Sequence, residues 1–230
     1  MFETGPLLAS GRDADIFEYG TTQVLRRSRN ARSMEHEARI MEYVYSCGYP
    51  IPKVGEISAD GTELIMERID GATMVDAVTS APWKATRFGR ALADLHVQLH
   101  ELSGPEWLAS APCGVGTQLL HLDLHPLNVM MSSRGPIVID WPNAVRGDPN
   151  TDVAVTWTLM SAAEVPTSGL KSALTGLIRA RLIRGFMAGF DVAAVGAEVE
   201  AVVRWKSDDK NMRQSEVSAM HEFARRVSQR

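Results

Sequence analysis

Cysteine is nearly absent from this chain: Cys47 and Cys113 are the only two in 230 residues. Two thiols cannot build a disulfide framework, and their spacing is not that of a structural zinc site, so both are read as reduced thiols in a cytoplasmic protein. Long apolar runs are missing as well. No segment reaches the ~18 apolar residues that cross a bilayer, and the start, Met1-Phe2-Glu3-Thr4-Gly5-Pro6, lacks a basic region followed by an apolar stretch, so neither membrane insertion nor export is expected. Positive charge is not in excess. With 24 Lys+Arg against 28 Asp+Glu the net charge is -4, which argues against a nucleic-acid partner, because such binding rests on neutralising phosphates with a basic surface. Repeats and low-complexity tracts are also lacking. What remains is 45% apolar and 23% charged residues, the balance of an ordinary folded protein of one large domain or two joined lobes.

The first third carries the β signals. Pro6 to Ser10, Asp15 to Tyr19 and Gln23 to Arg27 read as three strands, with Gly20-Thr21-Thr22 turning between the last two. A helix capped by Ser33 is expected to run to about Ser46, where Gly48, Pro50 and Pro52 forbid continuation. Val54 to Ser58 and Thr62 to Met66 read as a second hairpin around Ala59-Asp60-Gly61. From about Gly71 the pattern turns helical, most clearly over Thr86 to Glu101, where Phe88, Leu92, Leu95 and Leu99 recur at three and four residues. An island between His121 and Trp141 reads as a polar loop and a small hairpin among helices. Beyond Thr151 the chain reads as helical, with breaks near Pro166, Gly189 and Asp208 to Lys210. The expected fold is therefore α+β, with a β-rich lobe over residues 1–69 and a helical lobe over 70–230.

The island carries the chemistry: His121-Leu-Asp123-Leu-His125-Pro-Leu-Asn128, followed by Ile137-Val-Ile-Asp140-Trp141. Phosphoryl transfer needs a carboxylate beside the attacking hydroxyl and oxygen ligands that hold Mg²⁺ against the phosphates. Asp123 and Asn128 share one loop, and Asp140 is expected at the end of the strand that folds back on it.

This pattern, H-x-D-x-x-x-x-N, a hairpin and then I-D-W, resembles the aminoglycoside phosphotransferase and choline kinase family, relatives of protein kinases. The resemblance implies a two-lobed protein-kinase-like fold that moves the γ-phosphate of ATP or GTP to a hydroxyl of a small molecule. It makes Asp123 the catalytic base, Asn128 and Asp140 the Mg²⁺ ligands and His121 the structural histidine of the loop. Asp148 and Asp152 resemble the acidic pair that supports that loop. His125, inside the loop, either contacts the substrate phosphate or braces the backbone.

In the small lobe Arg26, ending Val24-Leu25-Arg26, stands where the family's strand carries a phosphate-reaching lysine; an arginine keeps the charge but not the geometry. Its neighbour Arg27 faces the other way on a strand and is expected in solvent. Glu37 lies on the helix face of Ile40, Met41 and Val44, opposite Glu35, Arg39 and Glu42, and a carboxylate on a buried face wants a cation, for which Arg26 is the natural partner. Leu64-Ile-Met-Glu67-Arg-Ile69-Asp-Gly71 resembles the interlobe hinge, whose backbone groups at Glu67 and Ile69 would meet the adenine edge. Ser10-Gly11-Arg12-Asp13-Ala14 lies where a phosphate-covering loop belongs, with one glycine in place of three, and its backbone amides are the candidate cradle.

Bland readings apply elsewhere. His96 is expected to be a satisfied core-edge histidine and His100 a solvated one, since no third metal ligand accompanies them. The 11 methionines read as core filler and Trp141 as packing beneath Asp140. Asp208 and Asp209 read as a solvated turn, with Asp209-Lys210-Asn211 as a possible lining for a cationic substrate. Only about a dozen residues separate Asp140 from Asp152, too few for a protein-kinase activation loop. The rival readings are a non-catalytic nucleotide-binding regulatory protein, suggested by the lost lysine and poor glycine loop, and an interaction domain on the same fold. The acceptor is expected to be small or weakly cationic, because Leu102 to Leu120 carries Glu106 as its lone acid and is broken by Gly104, Pro105, Pro112, Gly114 and Gly116.

Overall fold

The computed structural model describes residues 2–11, 13–163, 169–209 and 212–229. Arg12, Lys210, Asn211 and the expected break at Pro166 lie outside the described residues. The chain divides into two units, residues 1–72 with 130–142, and residues 73–129 with 143–230.

In the first unit β1 (Leu7–Ser10), β2 (Ala14–Tyr19) and β3 (Gln23–Ser28) form an antiparallel meander, followed by α1 (Glu35–Ser46), β4 (Val54–Ile57) and β5 (Glu63–Glu67). The five strands pair in the order β1-β2-β3-β5-β4. Leu25 of β3 and Leu64 of β5 are both fully buried, on opposite faces of the sheet, and Met34 and Ala38 close a small core over Ala14 and Leu64. Helix α1 starts later than expected. Ser33 Oγ accepts the Glu35 N–H at 3.2 Å, but Met34 stands at the cap position. The buried face of α1 is Glu37, Ala38, Ile40, Met41 and Val44, a stripe at helical spacing with one acid in it. Arg27 is a correction. It does not lie free in solvent: its Nε donates to Glu63, which is 1% exposed, at 2.6 Å, and its guanidinium lies 5.1 Å from the Phe17 ring.

Gly71–Thr73 (β6), whose first two residues belong to this unit, forms a three-stranded sheet with a later hairpin. In the second unit α2 (Met74–Ser80) begins at a capping box made by Thr73 and Asp76, and α3 (Ala85–His100) follows. Two strands that the sequence does not announce, β7 (Gln118–Leu120) and a partner over Val145–Gly147, pair antiparallel. Between them come β8 (Val129–Ser132) and β9 (Gly135–Val138), the hairpin that packs with the first unit, so the later partner strand is β10. Strand β9 stops at Val138, and Asp140 stands beyond it at φ 68°, not at a strand end as expected.

Four helices complete the second unit: α4 (Pro149–Ala162), α5 (Gly169–Met187), α6 (Val192–Ser207) and α7 (Gln214–Ser228). Asp148 caps α4 by accepting the Asn150 N–H at 2.8 Å, and Asp191 caps α6 in the same way. Helix α4 is buried on nearly every side, from Thr151 through Trp157 to Met160, which its run of apolar and small residues permits. No helix among the described residues is long and apolar enough to cross a membrane.

Helices α3 and α5 approach so closely that a Cβ on Gly89 would lie 2.1 Å from the Leu182 carbonyl oxygen and 2.8 Å from the Phe186 nitrogen, both backbone atoms of α5. Gly89→Ala is therefore expected to destabilise the chain by about 2 kcal/mol, because forced separation of packed helices outweighs alanine's better helix propensity. Gly176→Ala on α5, with open space around its Cβ, is expected to leave stability equal or raised. Urea denaturation of both variants checks the pair, and equal midpoints would contradict the close-packing argument.

Candidate active site

In the first unit, Arg26 on β3, Glu37 on α1 and Asp140 meet. Arg26 Nη1 donates to Glu37 Oε1, and Nη2 donates to Asp140 Oδ1 at 3.0 Å. Glu37 Oε1 also accepts the Trp141 backbone N–H at 3.2 Å. The structure thus brings together three of the residues singled out from sequence. Burial presses the Glu37 carboxyl upward against the pull of Arg26. Burial also opposes the charge on Arg26, but Glu37 and Asp140 hold it protonated. Trp141 is fully buried, stacked edge-on against Tyr49 with ring centroids 5.8 Å apart, and it anchors the backbone next to Asp140.

The other residues singled out in this unit are not gathered there. Ser10 Oγ bonds Asp15 at 2.6 Å, and the Gly11 amide is given to the Ala14 carbonyl at 2.9 Å. The Gly11 N–H is thus closed within its own turn. A cavity on this unit is lined by Asp13, Ala14, Arg26, His36, Glu37 and Pro142 among others, so the loop contributes its far end and not Ser10 or Gly11. The Glu67 N–H donates to the Lys53 carbonyl at 2.8 Å, and its carboxylate accepts from Arg134 and from the Lys53 N–H. The Glu67 carbonyl and Ile69 are thus the hinge groups that remain.

In the second unit the loop from His121 to Asn128 is bound from beneath. Asp152 of α4, fully buried, accepts the Leu122 N–H on Oδ1 at 2.7 Å and the His121 N–H on Oδ2 at 3.1 Å, and His100 Nε2 lies 3.0 Å from that same Oδ2. Burial opposes the charge on this carboxyl, but the bond to His100 and its charge, with His96 and His121 nearby, hold it well below the usual carboxylate range. His100 therefore is not solvated as expected but is buried against Asp152. Leu122 has φ 57°, a left-handed conformation disfavoured for leucine by about 1–2 kcal/mol, and the carboxylate below keeps it there. A second tie runs parallel: Thr156 Oγ1 donates to the Leu124 carbonyl at 2.8 Å and lies 3.0 Å from His96 Nε2.

On the upper side of this loop Asn128 Nδ2 donates to the Asp123 carbonyl at 3.0 Å and to its Oδ2 at 3.2 Å. Asp123 is thereby oriented while its side chain stays about a fifth exposed. His125 Nε2 lies 3.6 Å from Asp123 Oδ1, and its Nδ1 is buried with no partner among the described residues. His121 is fully buried. The ties through His100, His96 and Thr156 escape sequence reasoning, which offers only two histidines four apart on one helix face.

His96 yields a pH prediction. It is wholly buried, and burial pushes its pKa down to about 4, outweighing the nearby Asp152 carboxylate, with His100 and His121 also opposing its charge. A base depressed in the folded state is protonated first in the unfolded chain, so its contribution is complete above about pH 6.5 and is lost as pH falls towards about 4. His96→Gln should flatten the decline of stability across that window, as read by urea titrations at pH 7 and pH 4.5. An unchanged decline would show that other groups set it.

The elements in sequence order, with an antiparallel sheet and one helix leading to a helix-rich unit that holds the H-x-D-x-x-x-x-N loop, define a protein-kinase-like α+β fold. The family model described as Phosphotransferase enzyme family (APH) matches residues 4–116 and 106–194, and the chain belongs to that family. Solved structures agree in fold. A choline/ethanolamine kinase family protein from Mesorhizobium loti superposes with a TM-score of 0.64 at 14% identity, over 99% of this chain and 89% of that one. The streptomycin–ATP ternary complex of APH(2")-IIa gives 0.62 at 16%, over 94% and 91%. ADP-bound aminoglycoside phosphotransferase APH(2'')-Ib gives 0.62 at 15%, over 97% and 92%. A comparison with curated proteins finds no match.

Proposed function

We propose that this chain transfers the γ-phosphate of ATP or GTP to a hydroxyl of a small molecule. Asp123 is the base, Asn128 and Asp140 are the Mg²⁺ ligands, and the unit holding Arg26 and Glu67 receives the nucleotide. The observation that carries the reading is the state of Asp123: a partly exposed carboxylate, oriented by Asn128, on a loop that Asp152 pins from below. A carboxylate in that state can accept the acceptor's hydroxyl proton as the oxygen attacks phosphorus. His121 serves the loop, and His125 stands near enough to Asp123 to brace it or to meet the substrate phosphate.

The donor set suits a hard cation. Asn128 commits its Nδ2 to Asp123, which leaves its carbonyl oxygen for a metal, and Asp140 keeps Oδ2 without a hydrogen-bond partner among the described residues. A carboxylate oxygen and an amide oxygen are each the kind of hard donor that Mg²⁺ takes from a protein, substrate phosphates and waters supplying the rest. When bound, the cation neutralises charge developing on the phosphates.

Several structural neighbours are named for aminoglycosides, among them streptomycin and kanamycin. A polycation needs enclosure by several acids, and one segment of this chain offers little of it. Residues 102–117 form no helix and are tied down by bridges between Ser103 and Gln118 and between Ser110 and Arg146, and few acids accompany them. The reading is therefore a smaller or less cationic acceptor. Incubation of hydroxylated metabolites and antibiotics with Mg²⁺-ATP, read by mass gain, should find phosphorylation of the former class and poor kanamycin turnover. A kanamycin kcat/KM above about 10⁴ M⁻¹s⁻¹, the low end for a well-matched enzyme, would refute the acceptor class. Absence both of transfer and of nucleotide binding would refute the phosphotransferase reading.

A further inference from the structure

Arg26 stands where the family resemblance implies a lysine reaching the nucleotide phosphates, yet both its terminal nitrogens are already spent on carboxylates. A guanidinium presents its donors in a rigid planar fork. Here one tine meets Glu37 and the other Asp140, and Glu37 in turn accepts the amide of Trp141, the residue after Asp140. The groups form a closed circuit: guanidinium, Asp140 carboxylate, the Asp140–Trp141 peptide, Glu37, and back to the guanidinium. Asp140 sits inside it at φ 68°, a conformation that the circuit fixes from the side chain and from the following amide at once. The exposures differ accordingly. The Arg26 side chain is 13% exposed and that of Asp140 42%, so the acid faces outward while the base is held behind it.

We infer that Arg26 acts on the metal ligand and not on the phosphate: it ties back one oxygen of Asp140 and competes, as a cation, with the divalent ion for that carboxylate. The inference rests on the phosphotransferase reading above and assigns it a regulator of its metal requirement. A fixed positive charge about 3 Å from a ligand oxygen opposes the arrival of a second cation. The fork also explains why arginine is suited here, since a single ammonium cannot present two nitrogens to two carboxylates.

The test separates a metal-directed arginine from a phosphate-directed one. Arg26→Gln alone would leave Glu37 buried and unpaired, so the informative variant is Arg26→Gln with Glu37→Gln. It preserves net charge and keeps a side-chain oxygen for the Trp141 amide. Two quantities are measured: ADP affinity in EDTA, by calorimetry, and the apparent Mn²⁺ dissociation constant at saturating ADP, by electron paramagnetic resonance. The expected result is metal-free ADP affinity within about threefold of wild type and Mn²⁺ bound roughly fivefold or more tightly, since a competing charge has been removed. A tenfold or greater loss of metal-free ADP affinity, the mark of a lost charge-assisted phosphate bond, overturns the inference, as does unchanged or weaker Mn²⁺ binding. Should thermal unfolding show the double variant unfolded, Arg26→Met with Glu37→Gln, which likewise removes both charges and keeps an oxygen for the Trp141 amide, is read on the same two axes with the same directions. Wild-type protein that binds no ADP with or without Mn²⁺ overturns the phosphotransferase reading itself, a result distinct from either variant outcome.

Discussion

Asp123→Asn is expected to lower phosphoryl transfer by about 10²–10⁴-fold, the range over which a positioned general base contributes. The substitution keeps shape and leaves an oxygen facing the Asn128 amide, so the loop has no reason to move. What disappears is the basicity that accepts the hydroxyl proton. Nucleotide affinity should change by no more than about threefold, because the base acts on the acceptor and not on the donor phosphates. The split between kcat and nucleotide binding is the informative quantity: single-turnover transfer gives one and calorimetric titration with Mg²⁺-ATP the other. Transfer within tenfold of wild type would remove Asp123 from the role of base. A parallel collapse of nucleotide affinity would place it among the nucleotide contacts instead.

The residues behind that expectation were readable in the sequence because they are close together in it. Asp123 and Asn128 are five apart, and the loop that carries them needs no distant information to be recognised. Glu37 could be matched to Arg26 because a lone acid on a buried helix face must find a cation, and the adjoining strand supplies one. The same logic failed for Arg27. Its partner Glu63 reads from sequence as an ordinary position at the start of a strand, and only the pairing of β3 with β5 brings the two across from one another. His100 failed for a related reason: Asp152 is 52 residues away and the helix periodicity around His100 does not distinguish a wet face from one covered by α4. Strands β7 and β10 are three residues each, too short to show alternation, and they exist because they pair with one another. Asp140 could be identified but not posed. A left-handed aspartate two residues beyond a strand follows from the circuit around Glu37 and Arg26, which is a property of packing.

The largest combined effect is expected from Asp152, which touches no substrate. Its carboxylate is wholly buried and receives two backbone N–H groups and His100. Asp152→Ala would leave the His121 and Leu122 amides buried without an acceptor and His100 without its partner. Each stranded buried donor costs about 1–3 kcal/mol, so a loss of roughly 3–5 kcal/mol is expected, comparable to breaking a buried ion pair. Stability is not the whole effect. Leu122 holds φ 57° against its own preference, and once the carboxylate is gone the backbone is free to relax towards an ordinary conformation, carrying Asp123 with it. A displacement of about 1 Å at a reacting group can lower the rate by about 10²-fold. Asp152→Asn should fall between wild type and alanine, since its amide keeps one acceptor but turns a donor towards the other N–H. Urea denaturation gives the stability change, and transfer rates measured below the unfolding transition give the catalytic one. Rates near wild type in a folded but destabilised Asp152→Ala protein would show that the loop keeps its shape through the Thr156 and His96 tie alone, and that Leu122 holds its left-handed conformation without the carboxylate beneath it.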